Sequence, residues 1–100
     1  MAQCLLIDED YAERKSLSGY FGELGFEMCE AANADAGLSQ CRASMPDVVV
    51  VADRIGAGSP DYVRRLKRAG RGKPPVVIVY SSKPDTDAIG RMIVDGAAEV

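Results

Sequence analysis

The segment PDVVVVAD, residues 46–53, decides the fold class of this chain. Its four successive β-branched residues favour a β-strand, and an unbroken apolar run indicates burial on both faces. Strands of that kind occupy the middle of parallel sheets, so we expect residues 48–51 to form a central strand. Asp53 follows the apolar run and would lie at the carboxyl end of that strand.

Strand and helix patterns alternate on both sides of this segment. Apolar runs at residues 4–7 and 76–80 predict two further strands, and residues 26–31 indicate a shorter one. Residues 89–93 indicate a fourth helix, and residues 98–100 the start of a fifth strand. The order βαβαβαβα(β) requires a parallel sheet with helices on both faces. The residues expected on the buried faces of the first three helices are Leu17, Tyr20, Phe21 and Leu24, then Ala34, Leu38 and Cys41, then Tyr62, Val63 and Leu66.

Polar residues and glycine mark the expected ends of the first two helices. Asp10, with Glu13 three residues later, has the spacing of a capping box, and Gly25 is suited to end the helix that follows. Asn33 or Asp35 would open the second helix, because both residue types accept hydrogen bonds from the free backbone amides of a first turn.

Composition indicates an ordinary globular chain of one domain. Its 100 residues are 47% hydrophobic and 27% charged, with a net charge of −3 and no histidine. Without histidine, His-dependent catalytic triads are excluded. No apolar run approaches the roughly 20 residues of a membrane span, and the N-terminus turns acidic too early for a secretory signal. We therefore expect a cytoplasmic protein in which Cys4, Cys29 and Cys41 are mostly buried, reduced thiols.

Candidate chemistry lies just after the predicted strands, where ligands of open parallel sheets bind. Asp8 and Glu9 follow the first strand, Asp53 follows the third, and Ser81 and Ser82 follow the fourth. Clustered carboxylates form a hard-oxygen site suited to Mg²⁺. The alternative is a solvated turn, since acidic residues also favour helix starts.

Four short motifs, in order and at nearly ungapped spacing, carry a resemblance to a known family. They are LLIDED at residues 5–10, GFE at 25–27, PD at 46–47 and GAAE at 96–99. With them, residues 2–100 resemble a response-regulator receiver domain of the CheY type. The resemblance implies a flavodoxin-like, doubly wound parallel sheet of order 2-1-3-4-5. Residues 1–100 would then be a C-terminally incomplete receiver that lacks most of strand five and helix five.

The resemblance also implies a function in two-component signalling. A histidine kinase or phosphotransfer protein would donate a phosphoryl group to an aspartate, here Asp53, with Mg²⁺ bound by Asp8, Glu9 and Asp53. Counting back from Gly96, Ser81 would be the hydroxyl that reports phosphorylation to a downstream protein partner. The implied protein is not an enzyme, and its partners include neither a membrane nor, within these residues, nucleic acid.

The sequence departs from the family pattern at the phosphoacceptor. Without a gap, Ala52 occupies the acceptor position and Asp53 lies one residue late. A shift of one residue turns a strand side chain to the opposite face of the sheet. Asp53 could therefore act as the phosphoacceptor only if the strand contains an extra residue, as in a β-bulge. A pseudo-receiver, acting as a protein-interaction or dimerisation module, is therefore the main alternative. A third alternative, an unrelated flavodoxin-like enzyme or nucleotide binder, has only the glycine-rich segment 56–58 in its favour.

Two surface features bear on binding partners. Six basic residues fall between Arg64 and Lys73. They fit either a solvated helix face or a site for an anionic ligand or acidic partner. If strand five and helix five are incomplete, one sheet face and the edge of strand four would be exposed, and we then expect a second copy or another partner to cover them.

Overall fold

The computed structural model describes residues 1–53, 60–80 and 93–95. The strands are β1 (Gln3–Ile7), β2 (Glu27–Ala31), β3 (Val48–Ala52), β4 (Val76–Tyr80) and β5 (Ile93–Asp95). The helices are α1 (Tyr11–Glu23), α2 (Ala34–Ala43) and α3 (Pro60–Arg68). The segments 56–58 and 96–99, together with Ser81 and Ser82, lie outside the described residues. Among the described helices, none is both long enough and apolar enough to span a bilayer.

The sheet has the predicted flavodoxin-like arrangement. Its order is β2-β1-β3-β4-β5, and β1 to β4 are mutually parallel. β3 lies in the centre between β1 and β4, and Val49, Val50 and Val51 have no solvent exposure. The valine run therefore forms the doubly buried central strand that its composition predicted.

The fifth strand differs from the prediction. Ile93 was expected in a fourth helix, but it begins β5, which pairs antiparallel with β4 through Val79 and Ile93. A short apolar segment does not distinguish a helix from a strand by periodicity. The pairing of β5 with β4 satisfies backbone hydrogen-bonding groups along the outer edge of β4. A helix at this position would leave those groups without strand partners. An antiparallel edge strand on a parallel sheet is a common arrangement.

Side chains of the strands alternate between two hydrophobic cores, one on each face of the sheet. One core packs against α2 and α3 and contains Leu38, Cys41, Tyr62, Val63 and Leu66, with strand residues such as Val49 and Val51. The other packs against α1 through Phe21 and contains Cys4, Leu6, Val50, Ala52 and Tyr80. Helices thus cover both faces, and the buried residues predicted for α3 are all confirmed.

Helix α1 begins as predicted but buries less than predicted. Asp10 is its N-cap and accepts a hydrogen bond from the backbone amide of Glu13 at 2.9 Å. Phe21 is buried, whereas Tyr20 is 57% exposed and Leu24 is 59% exposed. The prediction that these two residues lie in the core was wrong, because adjacent helix positions point about 100° apart and only a narrow stripe of α1 faces the sheet.

Helix α2 is capped by Asn33, whose side-chain oxygen accepts a hydrogen bond from the amide of Ala36 at 2.7 Å. Of the predicted inner residues, Leu38 and Cys41 are buried and Ala34 is partly buried. The Tyr62 hydroxyl donates to the carbonyl oxygen of Ala34 at 2.8 Å, which joins α3 to the first turn of α2.

The described thiols are all free. Cys4 and Cys41 are buried, as expected, whereas Cys29 is exposed on the edge strand β2. Burial raises the pKa of Cys41 to about 11. Burial, with a smaller contribution from Cys29, raises the pKa of Cys4 to the same value. Both buried cysteines therefore act as neutral, apolar side chains at physiological pH.

Gly37 is required by the close approach of α2 to the sheet. A Cβ atom at this position would lie 2.5 Å from Cδ1 of Ile7 and 2.8 Å from the hydroxyl oxygen of Tyr62. We expect Gly37→Ala to lower the free energy of unfolding by about 1–3 kcal/mol through overpacking. Gly19→Ala in α1 is the matched control, because its Cβ would meet nothing within 4 Å. The control should gain up to about 1 kcal/mol of stability. Equal urea midpoints for the two variants would contradict the packing argument.

Candidate functional site

The carboxyl ends of β1, β3 and β4 lie side by side and form the candidate site. Ile7 pairs with Val51, so the next residues, Asp8 and Ala52, are neighbours across the sheet. Ala52 pairs in turn with Tyr80 at the end of β4. This edge is where the fold rules place a ligand site, and it is the edge that the sequence analysis singled out.

Asp8 is fully buried, and both of its carboxylate oxygens accept hydrogen bonds. Oδ1 accepts from the backbone amide of Asp10 at 2.9 Å. Oδ2 accepts from the hydroxyl of Tyr80. Burying a carboxylate is costly unless donors replace the water it loses, and these two donors do so.

The phenol of Tyr80 reaches from β4 across β3 to β1. Ala52 lies on the strand between them, and both Ala52 and Tyr80 belong to the core on the α1 side of the sheet. Because the side chain of Ala52 is a single methyl group, it leaves room for a tyrosine ring at the end of the neighbouring strand. A small residue at position 52 therefore permits the contact between Tyr80 and Asp8.

Strand alternation places Asp53 on the face of the sheet opposite to Ala52 and Asp8. β3 pairs residue for residue with β4 as far as Ala52, and the amide of Asp53 then donates to the carbonyl oxygen of Tyr80 at 2.8 Å. This ladder contains no extra residue that would turn Asp53 to the side of the sheet where Asp8 lies. Ala52 takes that side and is buried, while Asp53 is exposed.

The predicted ligands of Mg²⁺ are Asp8, Glu9 and Asp53. Among the described residues, no three Asp, Glu, Cys or His side chains come together in a group that could hold a metal ion. Glu9 is exposed, and the oxygens of Asp8 already accept hydrogen bonds within the protein. Mg²⁺ binding by Asp8, Glu9 and Asp53, which the resemblance implies, therefore stays a prediction.

Tyr80 is the residue of this edge that sequence reasoning missed. The switch hydroxyl was assigned to Ser81, which lies outside the described residues, whereas the hydroxyl that contacts Asp8 belongs to Tyr80. Strand alternation places Tyr80 on the face opposite to Val77. This alternation is visible in the sequence. To place Tyr80 beside Ala52, however, one also needs the register between β3 and β4, which a single sequence does not supply.

Arg14 ties the end of β1 to the edge of the sheet. Its Nη1 donates to the carbonyl oxygen of Asp8 at 2.8 Å, and its Nε donates to Oε1 of Glu30 at 3.0 Å. Lys15 donates to the other Glu30 oxygen at 3.3 Å. Burial raises the pKa of Glu30, but hydrogen bonds from Ser18, Arg14 and Lys15 and the positive charge of Lys15 outweigh it, so the net pKa is lowered.

The basic residues of α3 and the following loop point outward. Arg64, Arg65, Arg68, Arg71 and Lys73 are exposed, and Lys67 is half-buried. Nη2 of Arg64 lies 3.6 Å from the carboxylate of Asp61, one turn earlier, in an exposed pair. This is the arrangement expected of a solvated helix face, and the alternative of an anionic ligand or acidic partner stays open.

A small cavity of about 190 Å³ lies at the opposite, amino-terminal end of the sheet. It is lined by Gln3, Cys4, Leu5, Cys29, Gln40, Ala43, Ser44 and Pro46. Typical pockets for small organic ligands begin at about 300 Å³ and favour the carboxyl ends of parallel strands. Neither its size nor its place supports the alternative of a flavodoxin-like enzyme.

Solved structures share this fold, including the following two. The N-terminal domain of an uncharacterized protein (WS1339) from Wolinella succinogenes superposes with a TM-score of 0.67 at 22% identity, covering 89% of this chain and 71% of that one. The pseudo-receiver domain of the CikA protein superposes with a TM-score of 0.63 at 18% identity, covering 89% and 76%. No protein-family model matches the sequence, and no curated protein does. The chain has a receiver-like fold.

The Tyr80–Asp8 contact should contribute measurably to stability. Tyr80→Phe removes one of the donors that satisfy a fully buried carboxylate, and we expect it to lower the free energy of unfolding by about 1–3 kcal/mol. Tyr20→Phe removes a hydroxyl from an exposed ring and should change stability by less than about 0.5 kcal/mol. Urea unfolding of both variants provides the comparison. Similar losses in the two would show that the Asp8 contact is not stabilising.

Glu30 should make stability depend on pH in the acid range. Because folding lowers its pKa below the ordinary value of 4.5, its contribution is complete above that value and is lost as pH falls through the folded pKa. We expect the urea midpoint to fall between about pH 5 and pH 3 more steeply for the wild type than for Glu30→Gln. Parallel pH profiles for the two proteins would contradict this assignment.

Proposed function

We propose that this chain is a pseudo-receiver, a receiver-like domain that serves as a protein-interaction module and does not accept a phosphoryl group at the carboxyl edge of its sheet. One observation carries the proposal. β3 has Ala52 at the position beside Asp8, where the family resemblance places the phosphoacceptor. From β4, the strand next to β3, the Tyr80 hydroxyl donates a hydrogen bond to Asp8. A methyl group has no atom that could attack phosphorus.

The chemistry of phosphoryl transfer supports this reading. The attacking oxygen and the leaving group must lie in line with phosphorus, and carboxylate-bound metal must neutralise the charge on the equatorial oxygens. Asp53 lies one residue after the acceptor position and is exposed. Among the described residues, it does not form a metal-binding group with Asp8 and Glu9. The fold is similar to that of the pseudo-receiver domain of CikA, so a pseudo-receiver is compatible with this architecture.

Phosphorelay through Asp53 is the second candidate function. Asp53 lies at the same edge of the sheet and is exposed, so a donor protein could reach it. In that case the partner would be a histidine kinase or a phosphotransfer protein, and Mg²⁺ would be needed. The two candidates differ in whether Asp53 responds to a phosphoryl mimic, which can be measured directly.

Titration with beryllofluoride and Mg²⁺ distinguishes between the two candidate functions. We expect amide NMR spectra of the wild type to show no saturable shifts at Asp8, Glu9 or Asp53, and to match those of Asp53→Asn under the same conditions. The reason is that, among the described residues, β3 has Ala52 and not a carboxylate at the position beside Asp8. An active receiver domain measured in parallel would establish that the reagent is competent. Saturable shifts in the wild type that Asp53→Asn abolishes would reject the pseudo-receiver proposal in favour of phosphorelay.

A further inference from the structure

Positive charge is concentrated in one short segment of this acidic chain. Residues 64–73 contain six basic residues and no acidic one. Because the net charge of the whole chain is −3, the other residues together carry a net charge of −9. The dipole of α3 favours basic residues in its last turn, where Arg65, Lys67 and Arg68 lie. That effect ends with the last turn, so it does not account for Arg71 and Lys73 in the loop that follows.

The end of α2 brings a further arginine to this segment. Gly70 packs so closely on the last turn of α2 that a Cβ atom there would lie 2.7 Å from the carbonyl oxygen of Cys41. The next residue, Arg42, is exposed. Gln40, about 160° away from Arg42 around the helix, donates to the carbonyl oxygen of Glu30 on the edge strand β2. Arg42 therefore lies on the opposite flank of α2, towards α3.

Two arginines of α3 lie beside Arg42. Tyr62 marks the flank of α3 that faces α2, because its hydroxyl donates to a carbonyl oxygen of that helix. Arg65 follows Tyr62 by one turn and Arg68 follows by one more, so both lie between that flank and the outer face of α3. Arg71 is exposed in the adjoining loop. We name this surface the arginine surface and define it by Arg42, Arg65, Arg68 and Arg71.

Within residues 1–53, 60–80 and 93–95, no carboxylate forms an ion pair with the arginine surface. Asp35 and Asp61 lie in the first turns of α2 and α3. Each is seven residues, or about 10 Å, before Arg42 or Arg68, which is about one Debye length at 0.1 M salt. The charges of these aspartates are therefore largely screened from the arginines.

The acidic residues near the amino ends of the strands are directed elsewhere or lie on another side. The carboxylate of Asp47 accepts a hydrogen bond from the backbone amide of Gln3 at 2.7 Å, and so reaches towards β1. Asp95 belongs to β5, which lies beyond β4, whereas α2 packs on β1 and β2. Asp95 is therefore on the side of α3 away from Arg42.

The surroundings of the arginine surface favour a protein carboxylate over other anions. Among the described residues, no large exposed apolar side chain belongs to α2 or α3. Single-stranded nucleic acids stack their bases on exposed aromatic rings, and helices that lie on membranes insert apolar side chains. Neither kind of residue accompanies these arginines. The net negative charge of the remaining chain also repels a long polyanion, whereas a short acidic segment contacts the arginines alone.

We propose that the arginine surface binds an acidic segment of a partner protein, whose Asp or Glu carboxylates pair with its four guanidinium groups. A guanidinium presents its N–H donors in a planar fork that matches the two oxygens of a carboxylate. Each exposed pair of this kind contributes little, so several carboxylates must bind together and the complex is sensitive to salt. The inference deepens the proposed interaction function and rests on it, since it names the interface and the chemistry of the partner.

Three synthetic peptides of equal length test the proposal on the full chain. The first carries about six glutamates, the second has glutamine at those positions, and the third has lysine. We expect the glutamate peptide to bind, with amide NMR shifts at the four arginines, and the other two to bind at least about tenfold more weakly. Raising the salt concentration from about 25 mM to about 300 mM should weaken the glutamate peptide at least about tenfold, because screening shortens the range of the attraction.

Variants of the chain locate the binding. Arg68→Gln and Arg71→Gln should each weaken the glutamate peptide about threefold, and together about tenfold. Arg68→Lys keeps the charge but loses the planar fork, so its affinity should lie between those of the wild type and Arg68→Gln. Lys15→Gln is the matched control, because it also removes one positive charge, but from α1 on the opposite face of the sheet. Its affinity should equal that of the wild type.

The proposal is overturned if the glutamate and glutamine peptides bind equally or not at all, or if Lys15→Gln weakens binding as much as Arg68→Gln. It is also overturned if a single-stranded oligonucleotide of equal charge, or a vesicle containing an anionic phospholipid, binds more tightly than the glutamate peptide. A dimer of the wild type that Arg68→Gln with Arg71→Gln dissociates would make a second copy the occupant and would likewise overturn it.

The readouts at the arginine surface do not involve Asp53. A beryllofluoride response with normal binding of the glutamate peptide would reject the pseudo-receiver function alone. Loss of peptide selectivity without a beryllofluoride response would reject the arginine surface alone.

Discussion

Val49, Val50 and Val51 must be shielded from water on both faces of the sheet at once, and the architecture follows from that requirement. Complete burial of a strand needs a neighbouring strand on each side and a covering layer on each face. β1 and β4 supply the neighbours, α2 and α3 cover one face, and α1 covers part of the other. Parallel pairing then gathers the carboxyl ends of three strands at one edge, which is why Asp8, Ala52 and Tyr80 meet.

At that edge, the decisive constraint is the burial of the Asp8 carboxylate. A buried carboxyl group needs hydrogen-bond partners, and the protein provides the Asp10 amide and the Tyr80 hydroxyl. An acidic edge that holds a cation satisfies its carboxylates with the metal instead. At the described edge, the hydrogen bonds from the Asp10 amide and the Tyr80 hydroxyl serve this purpose for Asp8.

Much of the fold was predictable because it depends on local signals. The valine run, the Asp10 cap and the inner face of α3 follow from β-propensity, capping chemistry and helical spacing. The errors arose where tertiary geometry decides. Ile93 entered a strand because an open edge was available, Tyr20 and Leu24 stayed exposed because a sheet contacts only a narrow stripe of a helix, and the contact of Tyr80 with Asp8 depends on strand register. The two solved structures are less than 25% identical to this chain, so their similarity establishes the fold alone. The arrangement of the site follows from the contacts of this chain's own residues.

The pairing of a small residue at position 52 with a tyrosine at position 80 also limits the paths that mutation can follow. A change of Ala52 to aspartate alone would place a second carboxylate beside Asp8 and beneath the phenol ring. Replacement of Tyr80 alone would leave the buried Asp8 short of a donor. Each single change is expected to lower stability, so an aspartate at position 52 requires a compensating change at position 80. The two positions on neighbouring strands are therefore epistatic.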